Sequence, residues 1–425
     1  MDRDAHRAIE AVWRIESARL IAALTRMVRD VGLAEDLAQD ALVAALEHWP
    51  ESGVPENPGA WLLATAKRRA IDDVRRKKMV ERKHSEIGVE MGEREQEAPD
   101  FDTPLDDDVG DDLLRLMFIA CHPVLTTEAR VALTLRLIGG LTTEEIARAF
   151  LAPVATIQQR IVRAKRTLAE ARVPFEVPRG ADRAARIASV LEVIYLVFNE
   201  GYSATAGENW VRPALCEDAL RLARVLAGLA PDESEVHGLV ALLEIQASRI
   251  ASRTTPEGEP VLLLDQDRSR WNRLLIQRGL VALDKAESLT GALGPYSLQA
   301  ALAACHARAR AAEETEWTRI TALYDALAQL TPSPVVELNR AVAYAMAFGP
   351  AEGLAIVEPL REDTAMKAYH LLHAVRGDFL FKLGRFEEAK AELVKAVEMV
   401  RNERERQMLE GRVRECEARE GMGRR

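Results

Sequence analysis

Leu141-Thr142-Thr143-Glu144-Glu145-Ile146-Ala147 and, a few residues on, Val154-Ala155-Thr156-Ile157-Gln158-Gln159-Arg160 read as two helices joined by a turn through Ala152 and Pro153. Thr142 can cap the first helix while Glu145, three residues later, reaches back to the cap, which is a capping box. The second helix continues through Arg163, Lys165 and Arg166. Ile146, Ala147, Ile157, Ile161 and Leu168 recur at the spacing that packs two helices together. This is a helix-turn-helix pattern, in which the second helix enters a DNA major groove. Gln158, Gln159 and Arg160 fall in the first two turns of that helix, where Gln suits adenine and Arg suits guanine. Arg163, Lys165 and Arg166 suit phosphates, and Thr143 and Thr156 complete the DNA-facing set. A plain amphipathic pair with basic ends is the competing reading. Pattern, cap and charge together favour DNA.

Upstream lies a second helical module. Residues 5–29 read as one helix and 34–48 as another. In the latter, Ala38, Ala41, Leu42, Ala45 and Trp49 form an apolar stripe, with Asp36, Gln39, Asp40 and Glu47 on the opposite face. That acidic face either meets water or docks on a basic partner. After a proline-bearing loop, a helix from about Ala60 to Met79 buries Leu63, Ala66, Ala70 and Val74 and turns Arg68, Asp72, Arg75 and Arg76 outward. The run Arg75-Arg76-Lys77-Lys78 exceeds what a helix dipole needs and suits phosphates.

Charge divides the chain of 425 residues more sharply than its net of -10 suggests. Lys67 to Lys83 holds nine basic and three acidic groups, residues 86–112 one and twelve, and residues 113–173 nine and four. Two modules with basic patches are thus joined by an acidic linker, read as mostly disordered. Pro174 and Pro178 mark a second joint. Hydrophobic residues make up 48% and aromatics 5%, which supports folded cores and favours helices over sheets. The four cysteines, Cys121, Cys216, Cys305 and Cys416, are too far apart in sequence for a chelating motif. A disulfide framework or metal site is therefore not expected, and Cys121-His122-Pro123 reads as a packed turn. The most apolar stretch, 187–198, is interrupted by Glu192 and too short to span a bilayer. The expected location is the cytoplasm, with no membrane partner.

The order and spacing of Ala34-Glu35-Asp36-Leu37-Ala38-Gln39-Asp40-Ala41, Ala60-Trp61-Leu62-Leu63-Ala64-Thr65-Ala66-Lys67, Ala70-Ile71-Asp72-Asp73-Val74-Arg75-Arg76 and the helix-turn-helix resemble bacterial RNA polymerase sigma factors. The similarity is to the extracytoplasmic-function (ECF) group, which keeps only sigma regions 2 and 4, and it covers about residues 10–172. The resemblance implies that Asp36, Gln39 and Asp40 dock on the clamp of core RNA polymerase, which revises the solvated reading of that face. It implies that Trp61, Lys67, Arg68, Asp72, Arg75 and Arg76 read and melt the -10 element of promoter DNA. The second module then reads the -35 element and leans on the polymerase flap, while the linker threads a basic channel. Many family members carry Asn where Arg68 stands and Gly where Ala155 stands. The missing aromatic-rich melting surface fits a promoter-restricted factor.

The remaining residues exceed that plan. Residues 338–360 align with 373–395 at an offset of 35, pairing Tyr344 with Phe379, Gly349 with Gly384 and Glu352 with Glu387. A unit of about this length is the signature of the tetratricopeptide repeat (TPR). Helical pairs at 214–249 and 271–289 read as degenerate units. ECF sigma factors with a TPR-like extension form a subgroup that this chain resembles, and there the extension takes over the control that anti-sigma factors exert elsewhere. The expectation is an all-α chain: 1–85 as region 2, 86–111 as linker, 112–173 as region 4 and 180–425 as a TPR-like α-solenoid. A peptide or small ligand on the solenoid face is a further expected partner. The loop with Asn199-Glu200-Gly201-Tyr202 and Glu208-Asn209-Trp210 reads either as a ligand loop or as turn chemistry. His370 and His373 share a helical face without a third ligand, so packing is expected. No nucleophile-base set or Gly-rich phosphate loop is present, so no enzyme, cofactor or catalytic residue is expected. The alternatives are a DNA-binding regulator that works without polymerase, with the repeats as sensor, and a peptide-binding scaffold.

Overall fold

The computed structural model describes residues 2–71, 109–150, 152–203, 211–256, 258–364 and 366–423. The expected linker, apart from its last residues, lies outside them, as do Asp72, Val74, Arg75, Arg76 and the Glu208-Asn209-Trp210 stretch. The described residues are helical, with one isolated antiparallel bridge between Thr254 and Pro260. Contacts divide the chain into two compact units, 1–193 and 194–425.

The first unit holds α1 (Asp2–Val28), α2 (Val31–Ser52), α3 (58–71), α4 (Val109–Ala120), α5 (Thr127–Leu137), α6 (Thr143–Ala149) and α7 (Val154–Glu170). Asp30 caps α2 by accepting from the Leu33 backbone N–H at 2.9 Å. Ala38, Ala41, Ala45 and Trp49 of the expected stripe are buried, and Leu42 is half-buried. The indole of Trp61 meets that of Trp49 edge-on, 5.3 Å between ring centres. In α3 the core positions are Leu62, Ala66 and Ala70, with Leu63 half-buried. Period 3.6 accommodates either leucine, and tertiary packing buries Leu62. α2 also runs through Pro50 to Ser52, four residues beyond its expected end.

The capping box forms as its sequence dictates. The Glu145 N–H donates to Thr142 Oγ1 at 3.1 Å and the Thr142 N–H to Glu145 Oε2 at 2.8 Å. Ile146, Ala147, Ile157, Ile161 and Leu168 are all buried between α6 and α7. Cys121 is buried and its thiol lies 3.1 Å from Thr134 Oγ1; burial pushes its pKa up to about 12, so it is a packed, inert thiol.

α8 (Gly180–Tyr202) begins just past the expected joint, but its first half packs with the helix-turn-helix module. Arg130 donates to Ser189 Oγ at 2.6 Å and to Glu192 at 2.9 Å, while the Ser189 hydroxyl donates to the Cys121 carbonyl at 2.5 Å. The two units therefore divide inside α8, after Val193.

The second unit continues with α9 (Pro213–Leu229), α10 (Ser234–Ala247), α11 (Arg273–Leu289), α12 (Pro295–Arg308), α13 (Trp317–Leu330), α14 (Pro334–Phe348), α15 (Pro350–Leu360), α16 (His370–Lys382), α17 (Phe386–Met399) and α18 (Glu403–Gly423). From α12 onward each helix packs on the next, a one-dimensional stacking. The internal repeat falls on the pairs α14–α15 and α16–α17. Gly349 and Gly384 sit at equivalent turns with φ of 108° and 75°, a region where a side chain is strained. Their shared core includes Leu338, Leu354, Leu372, Phe379 and Leu393. His370 pairs with Glu405 at 3.0 Å and His373 with Glu392 at 2.6 Å, each joining α16 to a neighbouring helix.

Gly353 lets α15 approach its neighbours closely. A Cβ there would lie 2.6 Å from Ala345 Cβ, 2.7 Å from the Ala341 carbonyl and 2.8 Å from the Phe379 ring. Gly353→Ala is predicted to destabilise the second unit by about 1–3 kcal/mol through overpacking, read as a lower urea midpoint.

Candidate functional site

The N-terminal half of α7 offers a polar face. Gln158, Gln159 and Arg163 are exposed, and Thr156 and Arg160 are half-buried beside them. Arg166 is exposed and lies 3.5 Å from Glu170, a surface pair of small energetic weight. Thr143, at the start of α6, is half-buried. Pro153 precedes α7 without a side-chain cap, and its carbonyl accepts from the Thr156 and Ile157 backbone N–H groups at 3.0 and 3.3 Å.

Lys165 differs from its neighbours. It faces inward, and its Nζ lies 2.5 Å from Glu35 Oε2. Arg136 of α5 approaches the other oxygen of Glu35 at 2.7 Å and also donates to the Leu141 carbonyl at 3.2 Å. Glu35 is only 3% exposed. Burial opposes its ionisation, but Lys165 and then Arg136 outweigh burial and hold its carboxyl below the usual carboxylate range. One carboxylate of the first module thus grips both α7 and α5. Arg26 with Asp112, at 3.3 Å, and Arg14 with Glu145, also at 3.3 Å, bridge the same seam. Sequence reasoning gave Glu35 no role. Its signal was a charged residue on the apolar stripe, three residues before Ala38 and seven before Leu42.

The acidic face of α2 is partly committed. Asp36 is exposed, Gln39 donates to Glu35 at 2.9 Å, and Asp40 lies 3.4 Å from Arg69. On α3, Arg68 is exposed, Lys67 is half-buried, and Trp61 is half-buried against Trp49. Arg68 and the exposed acids of α2 therefore lie within one folded module, while the α7 set lies in the other. No group of three or more potential metal ligands occurs among the described residues. No described helix is long and apolar enough to cross a membrane.

Glu35→Gln leaves two cations facing a neutral amide, and breaking a buried pair in this way costs about 3 kcal/mol or more. Because the folded carboxyl titrates below its unfolded value, its contribution is fully present above about pH 4.3 and fades as pH falls through the lower folded pKa. The melting point of Glu35→Gln is predicted to lie below that of the parent at pH 7, with the gap narrowing below about pH 4.

Family comparisons agree with this anatomy. Residues 14–79 match Sigma-70 region 2, residues 115–168 match Sigma-70 region 4, and residues 186–287 match a family of unknown function, DUF6596. An uncharacterized protein of Rhizobium meliloti is 44% identical over 90% of this chain and 89% of its own length. The ECF RNA polymerase sigma factor SigK of a Mycobacterium species is 30% identical over 36% of this chain and 77% of its own length. The probable ECF RNA polymerase sigma factor SigI of Mycobacterium tuberculosis is 28% identical over 42% of this chain and 60% of its own length. With regions 2 and 4 in order, and a long helical extension behind them, the chain belongs to the extracytoplasmic-function family of RNA polymerase sigma factors, which serve the initiation of transcription.

Proposed function

We propose that this sigma factor carries core RNA polymerase to a restricted set of promoters in the cytoplasm, and that its C-terminal helical body controls that activity. The observation that carries the reading is the order of regions 2 and 4 in one folded unit, with the polar start of α7 exposed. Asp36, Gln39 and Asp40 supply an acidic face for the polymerase clamp. Trp61, Lys67 and Arg68, continued by Asp72, Arg75 and Arg76, take the -10 element. Gln158, Gln159 and Arg160 read bases of the -35 element from the major groove, with Thr143, Thr156, Arg163 and Arg166 on its backbone and the second module on the polymerase flap. Lys165 joins them by exchanging Glu35 for a phosphate, so promoter engagement loosens the seam between the modules. The sigma part works by binding and not by enzymatic turnover. Opening a base pair needs only that an unstacked base be held better by protein than by its neighbours. The helical body, with its stacked repeats, is the place for a regulatory partner, a peptide or a small molecule.

The division of labour is tested by gel shift with and without core polymerase. Asp36→Ala with Asp40→Ala is predicted to weaken the ternary complex while leaving the residual DNA binding of the isolated chain unchanged. Arg160→Ala is predicted to cost about 1–3 kcal/mol and to relax preference at one base position of the -35 element. Arg163→Ala is predicted to weaken all promoters alike and to reduce the salt slope by about one. Nanomolar operator binding without polymerase would instead identify an autonomous regulator.

A further inference from the structure

The second unit encloses a cavity of about 460 Å³ between α8, α10, α12, α13 and α14. That volume suits a small molecule rather than a peptide. Its walls are rich in aromatic rings, including Tyr195, Phe198, Tyr202, Trp271 and Tyr324. Its lining contains no Asp or Glu, and its one permanently charged group is Arg249. Among the described residues no carboxylate pairs with Arg249. Its Nε, at 3.0 Å, and Nη2 donate to Gln246, one turn back, which leaves the Nη1–Nη2 edge of the fork, and its guanidinium lies 5.5 Å from the Tyr202 ring centre.

The positive potential is reinforced from behind. Arg268, 5% exposed, holds the carbonyls of His306 and Ala309 at 2.8 and 3.0 Å and Thr315 Oγ1 at 3.2 Å. Those acceptors take its Nη donors, its Nε has no hydrogen-bond partner among the described residues, and Glu313 and Glu314 act on its charge from the far side. Burial, with Arg249 and Arg268 close by, pulls the His306 imidazole down to about 4, so it is neutral at pH 7. Three lining residues also carry a buried polar atom with no hydrogen-bond partner among the described residues: Tyr202 Oη, Trp271 Nε1 and His306 Nδ1. Trp271 is only 4% exposed. Buried cations are ordinarily paired and buried polar atoms ordinarily bonded, so this concentration of unbalanced groups around one cavity points to a ligand.

We propose that this cavity binds a small organic anion with a flat apolar body, its carboxylate on Arg249 and its body among the aromatic rings. The assignment deepens the reading of the helical body as the control element, because it gives the class of effector. The rings supply apolar area with little loss of side-chain freedom, and the guanidinium supplies planar, bidentate recognition of a carboxylate. A neutral molecule of the same shape leaves this half-buried charge uncompensated and binds less well.

The test uses the full chain without polymerase, so its outcome is independent of the sigma assignment. Calorimetric titration with 1-naphthoate is compared with the isosteric neutral 1-naphthamide and with inorganic phosphate. The expected result is one site per chain that takes 1-naphthoate at least tenfold more tightly than 1-naphthamide, with phosphate a poor competitor. Arg249→Gln is expected to abolish that preference and Arg249→Lys to keep part of it. Arg310→Gln, exposed and away from the cavity lining, is expected to leave it intact. Ala303→Phe, which fills the cavity from α12, is expected to block binding, and circular dichroism of each variant reports its fold. Absence of 1-naphthoate binding overturns the proposal. So does equal affinity for the amide or for phosphate, or binding that survives Ala303→Phe.

Discussion

The carboxylate of Glu35, buried in the first helical module and gripped by Arg136 and Lys165 of the second, organises the N-terminal half of the molecule. A buried charge is tolerated only when opposite charges and hydrogen bonds replace the water it has lost. Those replacements come from two helices more than a hundred residues away in sequence, so the carboxylate is satisfied only while both modules are in register. α7 therefore has one of its cations turned inward. Lys165 is held in the seam between the modules by its ion pair with Glu35.

The helix-turn-helix was legible because its signals are local. A capping box, a turn proline and a 3.6-residue apolar repeat each act within a few residues, and every core position they implied is buried. The acidic face of α2 was legible for the same reason. Glu35 was not, because its burial depends on partners that fold against it from another module, and helical periodicity carries no information about them. The shift from Leu63 to Leu62 in α3 has a similar origin: both satisfy the period, and only tertiary packing chooses. The boundary within α8 escaped notice because prolines mark where a helix starts, while its tertiary allegiance is set by Arg130 and Ser189 reaching across from different helices.

The C-terminal half shows the same contrast. An offset of 35 residues placed the pairs α14–α15 and α16–α17 and the glycine turns that close them. Nothing periodic marks the cavity lined by Arg249, Trp271 and His306, because its residues come from helices with no common spacing. From α12 onward neighbouring helices pack in series, and the cavity lies where helices of no common spacing leave space among aromatic rings. The N-terminal unit holds the sigma regions, and the C-terminal unit holds the cavity.

Reconstituted transcription on a randomised promoter library, with core polymerase and the full chain as the only variable, bears most directly on the sigma assignment. The account predicts transcripts that depend on the chain and share a paired upstream motif at the -35 and -10 positions. Transcripts that form equally well without the chain, or share no motif when it is present, would contradict it.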